Sequence, residues 1–157
     1  MTQSIDTRRR KITMAVVMGG TFVVLLDATV MNVAIPAIAR DLDAAEGIEW
    51  VVTSYLVAVA VSQLMTGLFD DRFGQRNVYV ASLAVFGVGS LLATLATSLE
   101  YLVGARIIQG LGGGSIIPIG MALVYEMFPP EKRGGALGTW GVSTMTAPAL
   151  GPVLGGY

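Results

Sequence analysis

Gly104-Ala-Arg-Ile-Ile-Gln-Gly-Leu-Gly-Gly-Gly114 is the stretch on which the fold turns. It sits inside an apolar run, Leu102 to Phe128, whose only other charge is Glu126 near its end. Arg106 therefore has no charged partner close to it in sequence. Insertion scales place an arginine at the centre of a bilayer at roughly +2.5 to 3.5 kcal/mol. Such a residue needs an acceptor from a distant part of the chain. Asp27 is the one other charge deep inside an apolar run, Ile12 to Ile38. The two are expected to meet in one polar centre of an all-α membrane protein built from several helices.

The composition agrees with lipid as the solvent. Of 157 residues, 54% are hydrophobic and 13% charged, and the mean hydropathy is +0.68. A soluble domain carries about 25% charged residues. One small core cannot hide this excess of apolar side chains. The net charge of -1 gives no electrostatic reason to expect nucleic acid as a partner. The absence of cysteine excludes disulfides, thiolate nucleophiles and sulfur metal sites. The absence of histidine leaves proton chemistry near pH 7 to a carboxylate. No catalytic constellation, metal site or cofactor motif is found, so an enzyme is not expected. Gly110 to Gly114 lacks the spacing and the preceding strand of a dinucleotide-binding loop.

The chain divides into a basic tail, 1–11, and apolar spans at about 12–38, 50–69, 78–97, 102–128 and 134–157. Ala37-Ile-Ala39 resembles a signal-peptide cleavage site. However, the apolar region before it is far longer than a signal core and carries Asp27, Asn32 and Pro36, so a retained span is expected. Trp50 suits a water–lipid boundary. Tyr55, Ser62 and Thr66 fall within about 40° of one another on a helix turning 100° per residue. That stripe either lines a wet cavity or joins neighbouring helices.

Basic residues orient the spans. With the N-terminus cytoplasmic, Arg8, Arg9, Arg10, Lys11, Arg72, Arg76, Lys132 and Arg133 all fall on the cytoplasmic side, and Arg40 falls on the other. Five alternating spans give this segregation, as the positive-inside rule expects. In that orientation Asp27 and Arg106 lie roughly 12 and 9 Å below the outer boundary at 1.5 Å per residue. An arginine side chain bridges that difference.

Four stretches, taken together, resemble the major facilitator superfamily, and more narrowly its fourteen-helix drug/proton antiporter branch. Leu26-Asp-Ala-Thr-Val-Met-Asn-Val-Ala-Ile-Pro36 resembles the first-helix motif of that branch. Gly67-Leu-Phe-Asp-Asp-Arg-Phe-Gly-Gln-Arg76 resembles the loop signature between helices two and three. Arg106-Ile-Ile-Gln-Gly-Leu-Gly112 resembles the fourth-helix motif, and Gly151-Pro-Val-Leu-Gly-Gly156 the antiporter motif of the fifth. Two positions depart from the pattern. Asp70 stands where the loop signature usually has a small residue, and Ala147 where the antiporter motif often has glycine, although Gly138 keeps its place.

The resemblance implies the first five helices of an N-terminal transporter bundle in the inner membrane, with further helices beyond them. It implies alternating access and export of amphipathic compounds, with protons as the coupling ion. A truncated, non-transporting membrane fragment is the alternative, as is a symporter or uniporter of the same fold. Asp27 and Arg106 become the candidate proton-coupling pair, since apolar surroundings favour a neutral carboxyl and a guanidinium favours an ionised one. Gly67, Asp71, Arg72, Gly74 and Arg76 become a gating loop, against a plainer role in setting orientation. Asn32, Tyr55, Ser62, Thr66, Gln109, Gly110 and Gly113 are candidates for cavity lining or helix packing. Arg106, Gly110, Gly113, Ile117 and Gly120 share one helix face, on which small residues admit another backbone. Gly138, Gly151, Pro152, Gly155 and Gly156 are the antiporter-motif candidates, where Pro152 removes a backbone hydrogen bond and favours a bend.

Overall fold

The computed structural model describes residues 2–44 and 46–155. They form five helices: α1 Thr2–Asp41, α2 Trp50–Phe73, α3 Gln75–Thr94, α4 Leu99–Met127 and α5 Pro130–Gly155. No strand occurs among the described residues. α1 to α4 are each long and apolar enough to cross a membrane. α1 and α2 run further than their apolar spans, α4 and α5 start three and four residues earlier than expected, and α3 keeps its expected length but is shifted to end at Thr94. α1 continues back through the basic cluster to Thr2 and spans about 60 Å at 1.5 Å per residue. The charged Asp70–Arg76 segment is helical on both sides of Gly74.

Each boundary has a local cause. α1 closes with the Ala44 N–H on the Ala39 carbonyl at 2.9 Å and the Asp43 N–H on the Arg40 carbonyl at 3.3 Å. This is a Schellman closure with Asp43 at φ +48°, the left-handed position that glycine usually fills and Asp tolerates. Gly74 takes φ +80° and turns α2 into α3 in one residue. At the start of α4 the Ser98 hydroxyl accepts from the Tyr101 N–H. Pro130 and Glu131 open α5, where a missing N–H costs nothing and a negative charge meets the positive helix end.

α4 is the central element. It packs against α3 on one side and α2 on the other, with a smaller contact to α1, while α5 lies along α1. Glycines set these approaches. A Cβ on Gly110 would stand 2.6 Å from the Tyr55 carbonyl oxygen, and one on Gly114 2.5 Å from that of Val59, both on α2. A Cβ on Gly112 would overlap the backbone of Phe86 and Ser82 on α3. On α4 the backbone approaches thus use Gly110, Gly112 and Gly114 rather than one shared face, and α3 adds Gly89, where a Cβ would stand 2.4 Å from the Gln109 backbone nitrogen. Gly113 faces the Tyr55 hydroxyl and the Phe86 ring, and Gly120 faces Val17 of α1.

Polarity is inverted relative to a soluble protein. Leu64, Leu68, Leu91, Leu95 and Met145 are mostly exposed, whereas Thr21, Ser62, Thr66, Ser82, Arg106, Gln109 and Ser115 are buried. Apolar residues outward and paired polar residues inward fit lipid as the surrounding medium. The apolar core runs through Val17, Val24, Tyr79, Phe86, Ile116, Ile119 and Val124, joining α1, α3 and α4.

Candidate functional site

The polar centre is built by three helices. α1 contributes Asp27, α4 contributes Arg106 and Gln109, and α2 contributes Tyr55. Arg106 and Gln109 are three apart on α4, so their side chains lie on neighbouring rows of one face. The Arg106 Nη1 donates to Asp27 Oδ2 at 2.7 Å and to Gln109 Oε1 at 2.6 Å. Gln109 Nε2 in turn donates to Asp27 Oδ1 at 2.8 Å. The three side chains close a ring in which every hydrogen bond runs from a donor to an acceptor. The guanidinium carbon lies 4.1 Å from the centroid of the Tyr55 ring, a cation–π contact.

Burial is uneven across the ring. The Arg106 side chain is 2% exposed and that of Asp27 is 21% exposed. The carboxylate is therefore the member that water or a solute can reach. Arg106 Nε is buried and has no hydrogen-bond partner. Charge balance in the centre is one cation to one anion.

A second polar cluster joins α2 to α4. The Ser62 hydroxyl donates to the Leu111 carbonyl at 2.7 Å, and the Thr66 hydroxyl donates to the Ser62 carbonyl at 2.8 Å. Ser115 Oγ lies 2.9 Å from Ser62 Oγ and 2.7 Å from Thr66 Oγ1. The Tyr55–Ser62–Thr66 stripe is thus turned toward α4. Ser62 also borders an apolar cleft of about 690 Å³ between α2 and α3, with α4 as its floor and Phe69, Phe73 and Val85 in its walls.

The other singled-out residues are more scattered. Asn32 is exposed and lies about 140° round the helix from Asp27, outside the centre. Gly67 has open space where a Cβ would stand, so no described helix approaches it closely. Asp71, Arg72 and Arg76 are exposed, and the Arg72 guanidinium lies 5.6 Å from the Phe73 ring centroid. One carboxylate oxygen of Asp70 is buried without a partner. Gln75 Nε2 donates to Glu126 Oε1 at 3.1 Å, which ties the segment after Gly74 to the end of α4. Gly138 has open space beside it, while Ala147 is fully buried. Gly151, Pro152 and Gly155 continue α5, and Gly156 lies outside the described residues.

Some contacts have little signature in the sequence. Trp140 Nε1 donates to Thr21 Oγ1 at 3.2 Å and pins α5 to α1. The Tyr79 hydroxyl reaches the Val16 and Val17 carbonyls of α1 at 3.2 and 3.3 Å, in space left free by Gly20. Gly19-Gly20 inside an apolar run is the one hint of that close approach.

Known proteins share this sequence pattern. A family model described as Major Facilitator Superfamily matches residues 17–157. The chain is 45% identical over 139 residues to the multidrug export protein EmrB of Haemophilus influenzae. It is 42% identical over 139 residues to the probable multidrug resistance protein EmrY of Escherichia coli. It is 43% identical over 138 residues to the fatty acid resistance protein FarB of Neisseria gonorrhoeae. Each match covers 87% of this chain and 27% of the relative's length.

Proposed function

Because the chain belongs to the Major Facilitator Superfamily, we propose that its five helices serve a transporter that exports amphipathic organic compounds in exchange for protons. The relatives' names speak of multidrug export and fatty acid resistance, which supports an amphipathic substrate class. The observation that carries the proton-exchange reading is the ion pair between Asp27 of α1 and the buried Arg106 of α4. A buried arginine is costly unless an acceptor balances it. Neutralising that acceptor with a proton changes the balance at once, and the partly exposed carboxylate is within reach of a proton from an open cavity.

The proposed cycle follows. With Asp27 ionised, the pair holds α1 to α4. A proton entering from one side neutralises the carboxylate and loosens the hold. The bundle then rocks against a pseudo-symmetric partner bundle, as in alternating access. Exposure to the opposite side releases the proton and restores the pair. The resemblance assigns gating of that rocking to the Gly67–Arg76 segment through Asp71, Arg72 and Arg76. It assigns a leak-limiting role to the α5 motif. The proposed location is the bacterial inner membrane with a cytoplasmic N-terminus, in line with the distribution of basic residues.

The test is transport by the full-length protein in vesicles with an imposed pH gradient. The expected result is substrate accumulation driven by the gradient in the wild type and abolished in Asp27→Asn. Unchanged coupling in that variant removes Asp27 from the mechanism. Accumulation driven by a sodium gradient instead would replace the proton with sodium.

A further inference from the structure

α2 and α3 each lie along α4 but touch each other little, and the apolar cleft between them stands open. We propose that this cleft holds the acyl chains of a membrane phospholipid, with the phosphate seated at its mouth by Arg72 and Asn77. Such a site stands apart from proton exchange and needs neither Asp27 nor Arg106.

The length of the cleft matches one leaflet. Along α2 its lining runs from Ser62 to Phe73, about 16 Å at 1.5 Å per residue. Ser62 stands half-way along Trp50–Phe73. The cleft therefore begins near mid-membrane and ends at the boundary, as does one half of the ~30 Å hydrocarbon core. Its mouth lies beside the Gly74 turn, at the same end of the bundle as Arg76, Lys132 and Arg133. The distribution of basic residues makes that the cytoplasmic leaflet.

The walls suit an alkyl chain. They carry Met65, Phe69 and Phe73 of α2 and Val85 of α3, all between 39% and 54% exposed. The Phe69 and Phe73 ring centroids lie 6.4 Å apart on one wall. At the deep end the Ser62 and Ser115 hydroxyls bond to each other, so they ask nothing of a ligand. Seams between membrane helices favour small residues that let backbones approach. Large, half-exposed side chains on both walls fit a thin, flexible chain better than a further helix.

The mouth carries donors for a phosphate. The Arg72 guanidinium lies 5.6 Å from the centroid of the Phe73 ring, which lines the cleft. Arg72 makes no ion pair among the described residues. On a helix turning 100° per residue, Arg72 lies about 20° from Met65, whereas Asp71 lies about 160° from both Phe69 and Phe73. Asp70 continues the Ser62–Thr66 row toward α4. The cation is thus on the cleft side of α2 and the two acids are not. Asn77 lines the mouth from α3. Its Nδ2 gives one hydrogen to the Phe73 carbonyl at 3.0 Å and keeps the other. A phosphate there meets a charge-assisted donor and an amide donor together.

The experiment uses the full-length protein in nanodiscs of phosphatidylethanolamine and phosphatidylglycerol. A tracer phosphatidylglycerol carries a diazirine midway along one acyl chain. After irradiation, adducts are mapped by mass spectrometry of peptides. Adducts are expected to concentrate on Met65, Phe69 and Val85, above the level at Leu64 and Leu68, which are exposed outside the cleft. Labelling at those two leucines also reports that each variant is folded and inserted. Ala81→Phe fills the cleft from α3 and is expected to lose most of the cleft labelling. Val80→Phe, exposed and outside the cleft, is expected to keep it. Arg72→Ala should lower it several-fold and Arg72→Lys should retain most of it. A diacylglycerol with the same labelled chain, lacking the phosphate, should label the wild type as weakly as the phospholipid labels Arg72→Ala. Labelling spread evenly over exposed residues, or surviving Ala81→Phe, makes the cleft ordinary boundary surface and overturns the site. An unlabelled cleft means that another part of the protein covers it, which also overturns it. Displacement of the label by free palmitate would give the cleft to an exported amphipath instead of a phospholipid. An Arg72→Ala variant that labels like the wild type overturns the phosphate seat. Loss of pH-driven transport in Asp27→Asn leaves all these labels unchanged, so the two readings stand or fall separately.

Discussion

Arg106 is 1% exposed and is held by an anion, an amide and an aromatic face supplied by three helices. At the scale of the residue, removing one partner strands the other. Arg106→Met is expected to destabilise the fold by about 3–5 kcal/mol, the usual cost of breaking a buried pair. Combining it with Asp27→Leu should recover most of that loss, because no uncompensated charge remains. Reversible unfolding in detergent micelles measures both. Tyr55→Leu should cost about 0.5–2 kcal/mol through the lost cation–π contact, while Tyr55→Phe keeps the ring and should cost less. The pair itself was legible in the sequence, since each charge stood alone in an apolar run. Gln109 was not legible as a ring member. An amide on a helix carries no charge to mark it, and Asn32, as polar on paper, proves to be exposed.

At the scale of the element, α4 depends on which of its glycines meet backbone. Gly112→Ala puts a methyl group into Phe86 and Ser82 of α3, neither of which can yield without moving a helix. Overpacking of this kind should cost about 1–3 kcal/mol. Gly104→Ala lies in the same helix with open space beside it. Helix propensity alone then applies, and this change should be neutral or stabilising by up to about 1 kcal/mol. Thermal unfolding of the two variants side by side separates packing from propensity. The hydroxyl cluster is less demanding. Ser62, Thr66 and Ser115 carry three hydrogens for four contacts, so one contact always lacks a proton. Ser115→Ala leaves Ser62 on the Leu111 carbonyl and Thr66 on the Ser62 carbonyl. It should cost only about 0.6 kcal/mol, the average for interhelical hydrogen bonds in a membrane. The glycine-rich character of this helix was plain from composition. The division of labour among Gly110, Gly112 and Gly114 was not, because it depends on how far α4 is rotated relative to α2 and α3.

At the scale of the whole molecule, the exposed aliphatic belt and the segregated basic residues set how the bundle sits in a bilayer. A cysteine at Glu46, between α1 and α2, should react with a membrane-impermeant maleimide on intact cells. A cysteine at Arg76, at the start of α3, should react only after the inner membrane is opened. The reverse pattern would invert the proposed orientation. The apolar cleft between α2 and α3 belongs to this scale too. It lies where α2 and α3 touch each other little while both pack against α4.

The sequence alone determined the all-helical membrane character and the two lone charges that had to find a partner. Those properties are one-dimensional: hydropathy accumulates along a segment, and a lone charge in an apolar run is costly wherever the helix goes. The charged turn at Gly74 was visible for the same reason, through residues adjacent in the chain. Only the tertiary structure decided that α1 and α4 touch at that level, that Gln109 closes the ring, and that the α2 hydroxyls turn toward α4. Asp27 and Gln109 are 82 residues apart. Their contact depends on helix rotation and crossing, which are set by side chains on several helices packing at once.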